Sequence, residues 1–201
     1  YLEHVKNDIY ITYISVRGGQ MPHITQLSAV EQVSGKSFNR YIRPKIPISD
    51  NAQQVTGITM VRENEMMVDG KRLTPTSWKL AFTDFINWLK QHKNLFLVAH
   101  NGRRFDFPVL LSSCCSIDRC DSLIENTQGM VDSLNIFSKV FPKRSSYKQE
   151  DLVRDILFTN YKAHNAEEDV NRLASLVSQV VTEHGDKHVQ ENSFQDWLHL
   201  V

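Results

Sequence analysis

Three β-rich runs open the chain before any helical pattern begins. They are Ile9 to Val16, Ile24 to Val33 and Phe38 to Ile42, and the turn signals Gly18-Gly19 and Ser34-Gly35 separate them. Tight connections of this kind join neighbouring antiparallel strands. The sequence therefore predicts an antiparallel meander at the start of the fold.

Helical and strand-like patterns alternate along the rest of the chain. From Thr74-Pro75 to Leu89, apolar residues recur every three or four positions, which predicts an amphipathic helix with Pro75 in its first turn. The later segments predict a strand, a helix, a short strand and a last helix; they are Leu95 to Ala99, Phe105 to Leu111, Gln128 to Val131 and Val170 to Val181. This order predicts an α/β domain with a mixed five-stranded sheet, flanked by helices, in which parallel strands continue the meander.

The charges of the chain balance, with 23 Lys and Arg against 23 Asp and Glu. A polybasic nucleic-acid coat or an acidic disordered tail would show a large imbalance, so a polyanionic partner has to be bound at a local patch or through metal ions. Hydrophobic residues make up 41% of the sequence, which is typical of a folded protein, and the length favours one domain, with two small domains as the alternative.

The cysteines and the apolar runs indicate in which cellular compartment the protein is expected. Cys114, Cys115 and Cys120 are few, odd in number and crowded together, which argues against a disulfide framework and predicts thiols in a reducing compartment. The segment Tyr1 to Asp8 has no apolar run, and the chain lacks the roughly 18 consecutive apolar residues of a membrane span. We expect an intracellular protein, nuclear or cytoplasmic, without membrane contact.

Two local patterns carry residues that can do chemistry. The first runs from His100 to Asp106, directly after the strand that ends at Ala99. That position predicts a loop at the carboxyl edge of the sheet, where ligands bind in open α/β folds; the alternative is that Asp106 caps the next helix. The second pattern is His164, followed five residues later by Asp169 on the core-facing edge of the last helix.

Together the two patterns resemble the second and third motifs of the DEDDh, or DnaQ-like, exonucleases, which remove nucleotides from 3′ ends. The resemblance runs from about residue 9 to residue 182 and implies a ribonuclease-H-like fold. It thereby implies an exonuclease-like domain over residues 9–182, between an N-terminal extension (1–8) and a C-terminal extension or final helix (183–201). Ile24 to Val30 resembles the second strand of the family, and Val55 to Thr59 resembles the loop after its third strand. Val131 to Leu134 and Phe141 to Lys148 resemble the three-prime repair exonuclease branch and the exonuclease-like domain of promyelocytic leukaemia proteins.

The resemblance implies a metal-dependent site. In the family, four carboxylates bind two divalent ions, usually Mg²⁺, and a histidine acts as general base. Asp106 matches the carboxylate of the second motif, Asp169 the last carboxylate and His164 the base. A neutral imidazole, with a pKa of about 6.5, suits proton removal at neutral pH.

The first acidic motif of the family is missing. The family places an Asp-x-Glu pair at the end of the first strand, where this chain has Thr12 and Ile14. The nearest preceding acid, Asp8, lies about 13 Å from Thr12 along an extended strand. Asp106 and Asp169 alone leave a surplus of about two positive charges beside two divalent ions. We therefore expect weak binding of one Mg²⁺ or Mn²⁺ ion at most.

The leading hypothesis is a degenerate exonuclease domain, catalytically dead or strongly impaired, that retains binding of a nucleic-acid 3′ end or of a protein partner. One alternative is an active metal-dependent 3′-to-5′ exonuclease on DNA or RNA, whose missing ligands come from a source that the motifs do not identify. Another is a protein-interaction scaffold in which the cleft is unused. The family also includes homodimers, so self-association is a further expectation.

Nucleic-acid binding would use polar and basic residues beside the motifs. The candidates are Asn101, Arg103, Arg104, Lys143, Arg144, Tyr147 and Lys148. The basic side chains would contact phosphates, and Tyr147 would stack on a base. The alternatives are a solvated surface of mixed charge for the basic groups and core packing for Tyr147.

Overall fold

A computed structural model of the chain describes residues 8–16, 23–161, 163–185 and 187–194, with side chains over 24–161, 163–185 and 187–193. The N-terminal part contains the predicted meander and a second group of short strands. Its elements are β1 (Asp8–Val16), β2 (His23–Glu31), β3 (Ser37–Tyr41), α1 (Asp50–Thr56), β4 (Ile58–Arg62), β5 (Glu65–Val68) and β6 (Lys71–Leu73).

Helices and short strands alternate in the remainder, as the periodicity predicts. The elements are α2 (Trp78–Leu89), β7 (Phe96–Ala99), α3 (Asp106–Cys115), α4 (Cys120–Glu125), β8 (Gly129–Asp132), α5 (Ser133–Val140), α6 (Gln149–Leu157), α7 (Ala166–His184), α8 (Lys187–Glu191) and β9 (Ser193–Phe194). Ser77 caps α2 by accepting a hydrogen bond from the Leu80 N–H at 3.4 Å, so Pro75 precedes the helix and the prediction that it lies in the first turn was wrong. Throughout the described residues, the helices are too short or too polar to cross a lipid bilayer.

The main sheet has the strand order β3-β2-β1-β7-β8-β9. β1 pairs antiparallel with β2, and β2 with β3, whereas β1 pairs parallel with β7, and β7 with β8. The predicted α/β fold, with a mixed sheet formed from a meander and parallel strands, is therefore confirmed. The short strand β9 pairs antiparallel with β8 and adds a sixth strand to the five predicted.

A separate three-stranded sheet, with the order β4-β5-β6, was not predicted. The residues that resemble a family loop, Val55 to Thr59, form instead the end of α1 and the start of β4. The small sheet is stabilised by its own apolar cluster, which includes Ile48, Ile58 and Met66. Its strands contain only three to five residues, too few for a period-2 pattern to be recognised in the sequence.

The main sheet separates two apolar clusters. Leu97 and Ala99 of β7 pack into the cluster that α2 and α3 cover, and Val98 packs into the cluster that α5, α6 and α7 cover. This alternation follows from the two-residue period of a strand. Burial on both faces leaves the ends of β7 and β8 as the places where polar side chains can gather.

The prediction that the clustered cysteines are thiols was wrong for two of the three. Cys115 and Cys120 form a disulfide across the α3–α4 turn, with Cα atoms 4.4 Å apart, so these two are not thiols. Cys114 is the buried free cysteine of this group. Further along the chain, the short helix α8 buries Val189 in the core.

Candidate active site

A cavity of about 740 Å³ opens at the carboxyl ends of the parallel strands β7 and β8. The loop and helix that follow β7 supply Asn101 and Asp106, and the helix that follows β8 supplies Leu134. The start of α6 and the region before and within the first turn of α7 supply most of the remaining wall. The sequence-predicted residues on its wall are Asn101, Asp106, Tyr147, Lys148, His164 and Asp169.

Asp106 is held by a tight turn between β7 and α3. Asn101 has a left-handed backbone, with φ of +58°, and the Phe107 N–H donates to the Gly102 carbonyl at 2.9 Å. Asp106 then lies in the first turn of α3 and is buried. Because Phe105 occupies the N-cap position, the alternative that Asp106 caps this helix was wrong.

Gly102 sits too close to its neighbours for a side chain. A Cβ there would lie 2.6 Å from Phe107 Cε2 and 2.7 Å from Ala99 Cβ. We expect Gly102→Ala to lower the free energy of unfolding, measured by urea denaturation, by about 1–3 kcal/mol because of overpacking. Arg103→Ala, at the exposed neighbour, is the control and should change it by less than about 0.5 kcal/mol. Equal stability of Gly102→Ala and the unmodified chain would contradict this close approach.

His100 and Asp132 connect the loops around the cavity, and sequence reasoning gave neither a role. His100 Nε2 lies 2.7 Å from the Tyr147 carbonyl, and its Nδ1 lies 3.0 Å from Ser133 Oγ. A carbonyl only accepts, so Nε2 carries the hydrogen and Nδ1 of the neutral ring accepts from Ser133. Burial, the largest influence, lowers the pKa of His100 and favours this neutral form. The Asp132 carboxylate accepts from the Arg103 N–H at 3.1 Å and the Leu134 N–H at 3.0 Å.

His164 and Asp169 meet at the start of α7. Asn165 caps the helix by accepting from the N–H groups of Glu167 and Glu168. His164 has a left-handed backbone, with φ of +69°, and an exposed side chain on the cavity wall. Burial is the largest influence on Asp169 and raises its pKa to about 6, against hydrogen bonds from the Tyr161 hydroxyl and the His164 N–H that lower it.

A partly buried network of hydrogen bonds joins the first turn of α7 to the sheet. Gln26 of β2 accepts from the Ala166 N–H at 3.0 Å and donates to Asn39 Oδ1 at 3.2 Å. Asn39 of β3 in turn donates to Glu167 Oε2 at 2.8 Å. The sequence signal was a polar residue inside the apolar strand Ile24 to Val30, but its partner lies 140 positions away. This network holds the start of α7, and with it His164 and Asp169. The sequence motif located these two residues but did not show which contacts hold them.

The acids of the two motifs lie on the cavity wall together with Glu150. Asp106 and Asp169 bring two carboxylates, the hard oxygen ligands that Mg²⁺ prefers. In β1 the backbone register pairs Asp8 with Phe96 and Tyr10 with Val98, so Thr12 follows at the carboxyl edge and Asp8 lies at the other end. Among the residues that the structure describes, no group of three His, Cys, Asp or Glu side chains could hold a metal ion.

The predicted nucleic-acid-binding residues separate into two groups. Asn101, Tyr147 and Lys148 lie on the cavity wall, although the Tyr147 hydroxyl donates to the Phe141 carbonyl at 2.7 Å, which favours packing over base stacking.

The other basic residues lie away from the wall. The Arg144 guanidinium is engaged by Asp155 and by the Ser146 carbonyl. Arg103 and Arg104 are exposed on the β7–α3 loop, where the Arg104 guanidinium lies 5.3 Å from the centre of the Phe105 ring. Lys143 is exposed as well. Lys148 is thus the basic side chain of the predicted set that reaches the cavity.

The fold, a meander continued by parallel strands with helices on both faces, is ribonuclease-H-like. The family model RNase_T, described as an exonuclease, matches residues 9–177. The chain belongs to this exonuclease family, which is of the DEDDh 3′-to-5′ type. The resemblance seen in the sequence is thereby confirmed for the family, whereas its branch stays a prediction.

Relatives and solved structures agree with this assignment. The chain is 27% identical over 147 residues to the DNA polymerase III subunit epsilon of Buchnera aphidicola subsp. Schizaphis graminum, a match covering 71% of this chain and 55% of that protein. The fold is similar to E. coli exonuclease I in complex with a dT13 oligonucleotide, with a TM-score of 0.72, 15% identity and coverage of 92% of this chain and 43% of that chain. The zinc-bound form of the E. coli ExoI–ssDNA complex gives a TM-score of 0.70 and 16% identity, covering 89% of this chain and 41% of that chain. The chain thus spans about half the length of these proteins.

Proposed function

We propose that the chain is a weakened exonuclease domain, which binds the 3′ end of a single-stranded nucleic acid in the cavity and hydrolyses it slowly or not at all. The observation that carries the proposal is the incomplete acidic set. Asp106, Asp169 and His164 share one cavity, whereas β1 has Thr12 and Ile14 just past the residues that pair with β7. The solved relatives in complex with oligonucleotides support single-stranded nucleic acid as the ligand.

The residues of the cavity have separable tasks in this proposal. A bound Mg²⁺ or Mn²⁺ ion would supply Lewis-acid polarisation of a phosphate, and Asp106 and Asp169 are the residues that would hold it. Lys148 supplies a positive charge for the phosphate backbone. His164, exposed on the cavity wall, is placed to take a proton from an attacking water.

One observation favours the alternative of an active exonuclease. Glu150, which sequence reasoning did not select, lies on the cavity wall, and its negative charge contributes to raising the pKa of Asp169. A third carboxylate near Asp106 and Asp169 would reduce the charge deficit. Glu150 is exposed and lies in the first turn of α6, not at the end of β1.

A comparison of linear and circular strands tests the function. A 3′-labelled oligonucleotide should bind in Mn²⁺ more tightly than a closed circle of the same sequence, because the circle has no end to enter the cavity. Trimming of the label should be slow. Rapid trimming that is lost in both Asp106→Ala and Glu150→Ala would contradict the proposal and support the active alternative.

The affinity for single strands should depend on Lys148 and not on Lys143. Lys148→Ala is expected to weaken binding roughly three- to tenfold and to flatten the slope of log K against log salt by about 0.7, the loss of one phosphate contact. Lys143→Ala removes the same charge from an exposed residue outside the cavity wall, so it is the matched control and should change neither quantity. Fluorescence anisotropy over a salt series measures both. An equal effect of the two variants would contradict binding in the cavity.

The finer expectations from the sequence stay proposals. They are a nuclear or cytoplasmic location, membership of the three-prime repair or promyelocytic leukaemia-like branch, and binding of a protein partner or a second copy of the chain. The motifs from Val131 to Leu134 and from Phe141 to Lys148 support the branch.

A further inference from the structure

Two polar side chains, those of Gln149 and Tyr161, form a series of hydrogen bonds that ends at Asp169. Gln149, the first residue of α6, has its Nε2 3.0 Å from the Tyr161 hydroxyl oxygen and 2.8 Å from the Asp169 backbone carbonyl. The Tyr161 hydroxyl is hydrogen-bonded to the Asp169 carboxyl group. All three residues lie on the cavity wall.

The direction of these hydrogen bonds follows from one backbone group. The Asp169 carbonyl only accepts, so the Gln149 amide must turn its nitrogen, and not its oxygen, toward it. The same nitrogen then donates to the Tyr161 oxygen. The hydroxyl hydrogen of Tyr161 is therefore left to be donated to the carboxylate of Asp169.

We infer that Tyr161, oriented by Gln149, is a positioning residue that holds the Asp169 carboxylate ready for a divalent ion. The Tyr161 hydroxyl and the His164 N–H occupy acceptor sites of this carboxylate and leave its remaining lone pairs for the cavity. Hydrogen bonds of this kind orient metal-ligating carboxylates and support metal affinity. The inference rests on the proposed role of Asp169 as an ion ligand. The chain retains two acids of the motifs, Asp106 and Asp169, where the family has four. The orientation of each therefore contributes a larger share of the affinity for the ion.

Two conservative variants test the inference through Mn²⁺ affinity, measured by electron paramagnetic resonance without nucleic acid. Tyr161→Phe deletes the hydroxyl and should weaken Mn²⁺ binding about tenfold. Gln149→Glu replaces the donor by an acceptor, so the Tyr161 hydrogen turns toward Glu and away from Asp169. This variant should also weaken Mn²⁺ binding, although a new negative charge by itself would tighten it. The double variant should bind Mn²⁺ no more weakly than Tyr161→Phe alone, because both changes break the same series of hydrogen bonds.

Gln91→Glu adds the same charge at an exposed position outside the cavity wall and should leave Mn²⁺ affinity unchanged. Tighter binding by Gln149→Glu, unchanged binding by Tyr161→Phe, or losses that only parallel a lowered unfolding midpoint would overturn the inference. Absence of Mn²⁺ binding to the unmodified chain would overturn it together with the ion-dependent part of the proposed function. The expected Mn²⁺ losses without any preference for a 3′ end would overturn the proposed function and leave the inference standing.

Discussion

The double variant Thr12→Asp/Ile14→Glu is expected to trim a 3′-labelled single strand in Mg²⁺ about a thousandfold faster than the unmodified chain. The two positions follow Tyr10 at the carboxyl edge of β1, beside the end of β7. Each added charge near an ion contributes about 4 kcal/mol at an effective dielectric of about 20. One such contribution to the transition state corresponds to roughly a thousandfold in rate. The variant should also bind two Mn²⁺ ions where the unmodified chain binds one at most.

The control for this gain is Thr12→Asn/Ile14→Gln, which has the same side-chain shapes without charge. It should trim no faster than the unmodified chain. A gain of similar size in both variants would show that shape, and not charge, limits the reaction. If the unmodified chain already trims as fast as the Asp/Glu variant, the account of a missing acidic pair is wrong.

The second large effect is the loss of folding stability that comes from burying Asp169 in its charged form. Burial raises the pKa of Asp169 from 3.8 to about 6. Between about pH 4 and pH 6 the native state therefore holds more protons than the unfolded state, so stability falls as pH rises through this window. Well above pH 6 Asp169 is charged in both states, and the destabilisation of the native state has its full size. Asp169→Asn removes it and should raise the free energy of unfolding at pH 8 by up to about 3 kcal/mol, while Mn²⁺ binding is lost.

Urea denaturation at pH 4, 6 and 8 in the presence of a chelator measures this effect. The difference between Asp169→Asn and the unmodified chain should be near zero at pH 4 and grow to its full size at pH 8. Asp121→Asn, at an exposed position in α4, is the control and should show no such pH dependence. A difference that stays constant from pH 4 to pH 8 would contradict the role of burial.

Local pattern was enough to predict some elements of the fold, but not α6, whose start lines the cavity. The apolar spacing up to Leu89 predicted α2, and the run Leu95 to Ala99 predicted β7, because both rest on periodicities that a window of ten residues contains. The small sheet of β4, β5 and β6 was missed, since its strands are too short for such a window. The predicted placement of the His100 to Asp106 loop at the carboxyl edge depended on β7 being a parallel strand, which the structure has.

In the candidate site, too, some residues could be found from the sequence and others only from the structure. Asp106, His164 and Asp169 were found through their spacing in two motifs, and the structure gathers all three on one cavity wall. Tyr161 and Gln149 belong to no motif, and their contacts to Asp169 arise because α6 packs against α7. Arg144 was predicted to bind nucleic acid, but its guanidinium is engaged by Asp155. A positive charge in the sequence does not tell which neighbour it has in the fold.

The sequence by itself determined the family, the strands and helices that have a clear apolar pattern, and the absence of an acidic pair at Thr12 and Ile14, because these depend on which residues occur and how they are spaced. Only the tertiary structure decided what surrounds the remaining acids. Gln26 supports α7 from 140 positions away, and His100 joins the ends of β7 and β8 to the start of α6. Such contacts depend on packing between distant segments, which no local pattern records, and that packing sets the burial of Asp169 and the direction of the hydrogen bonds it receives.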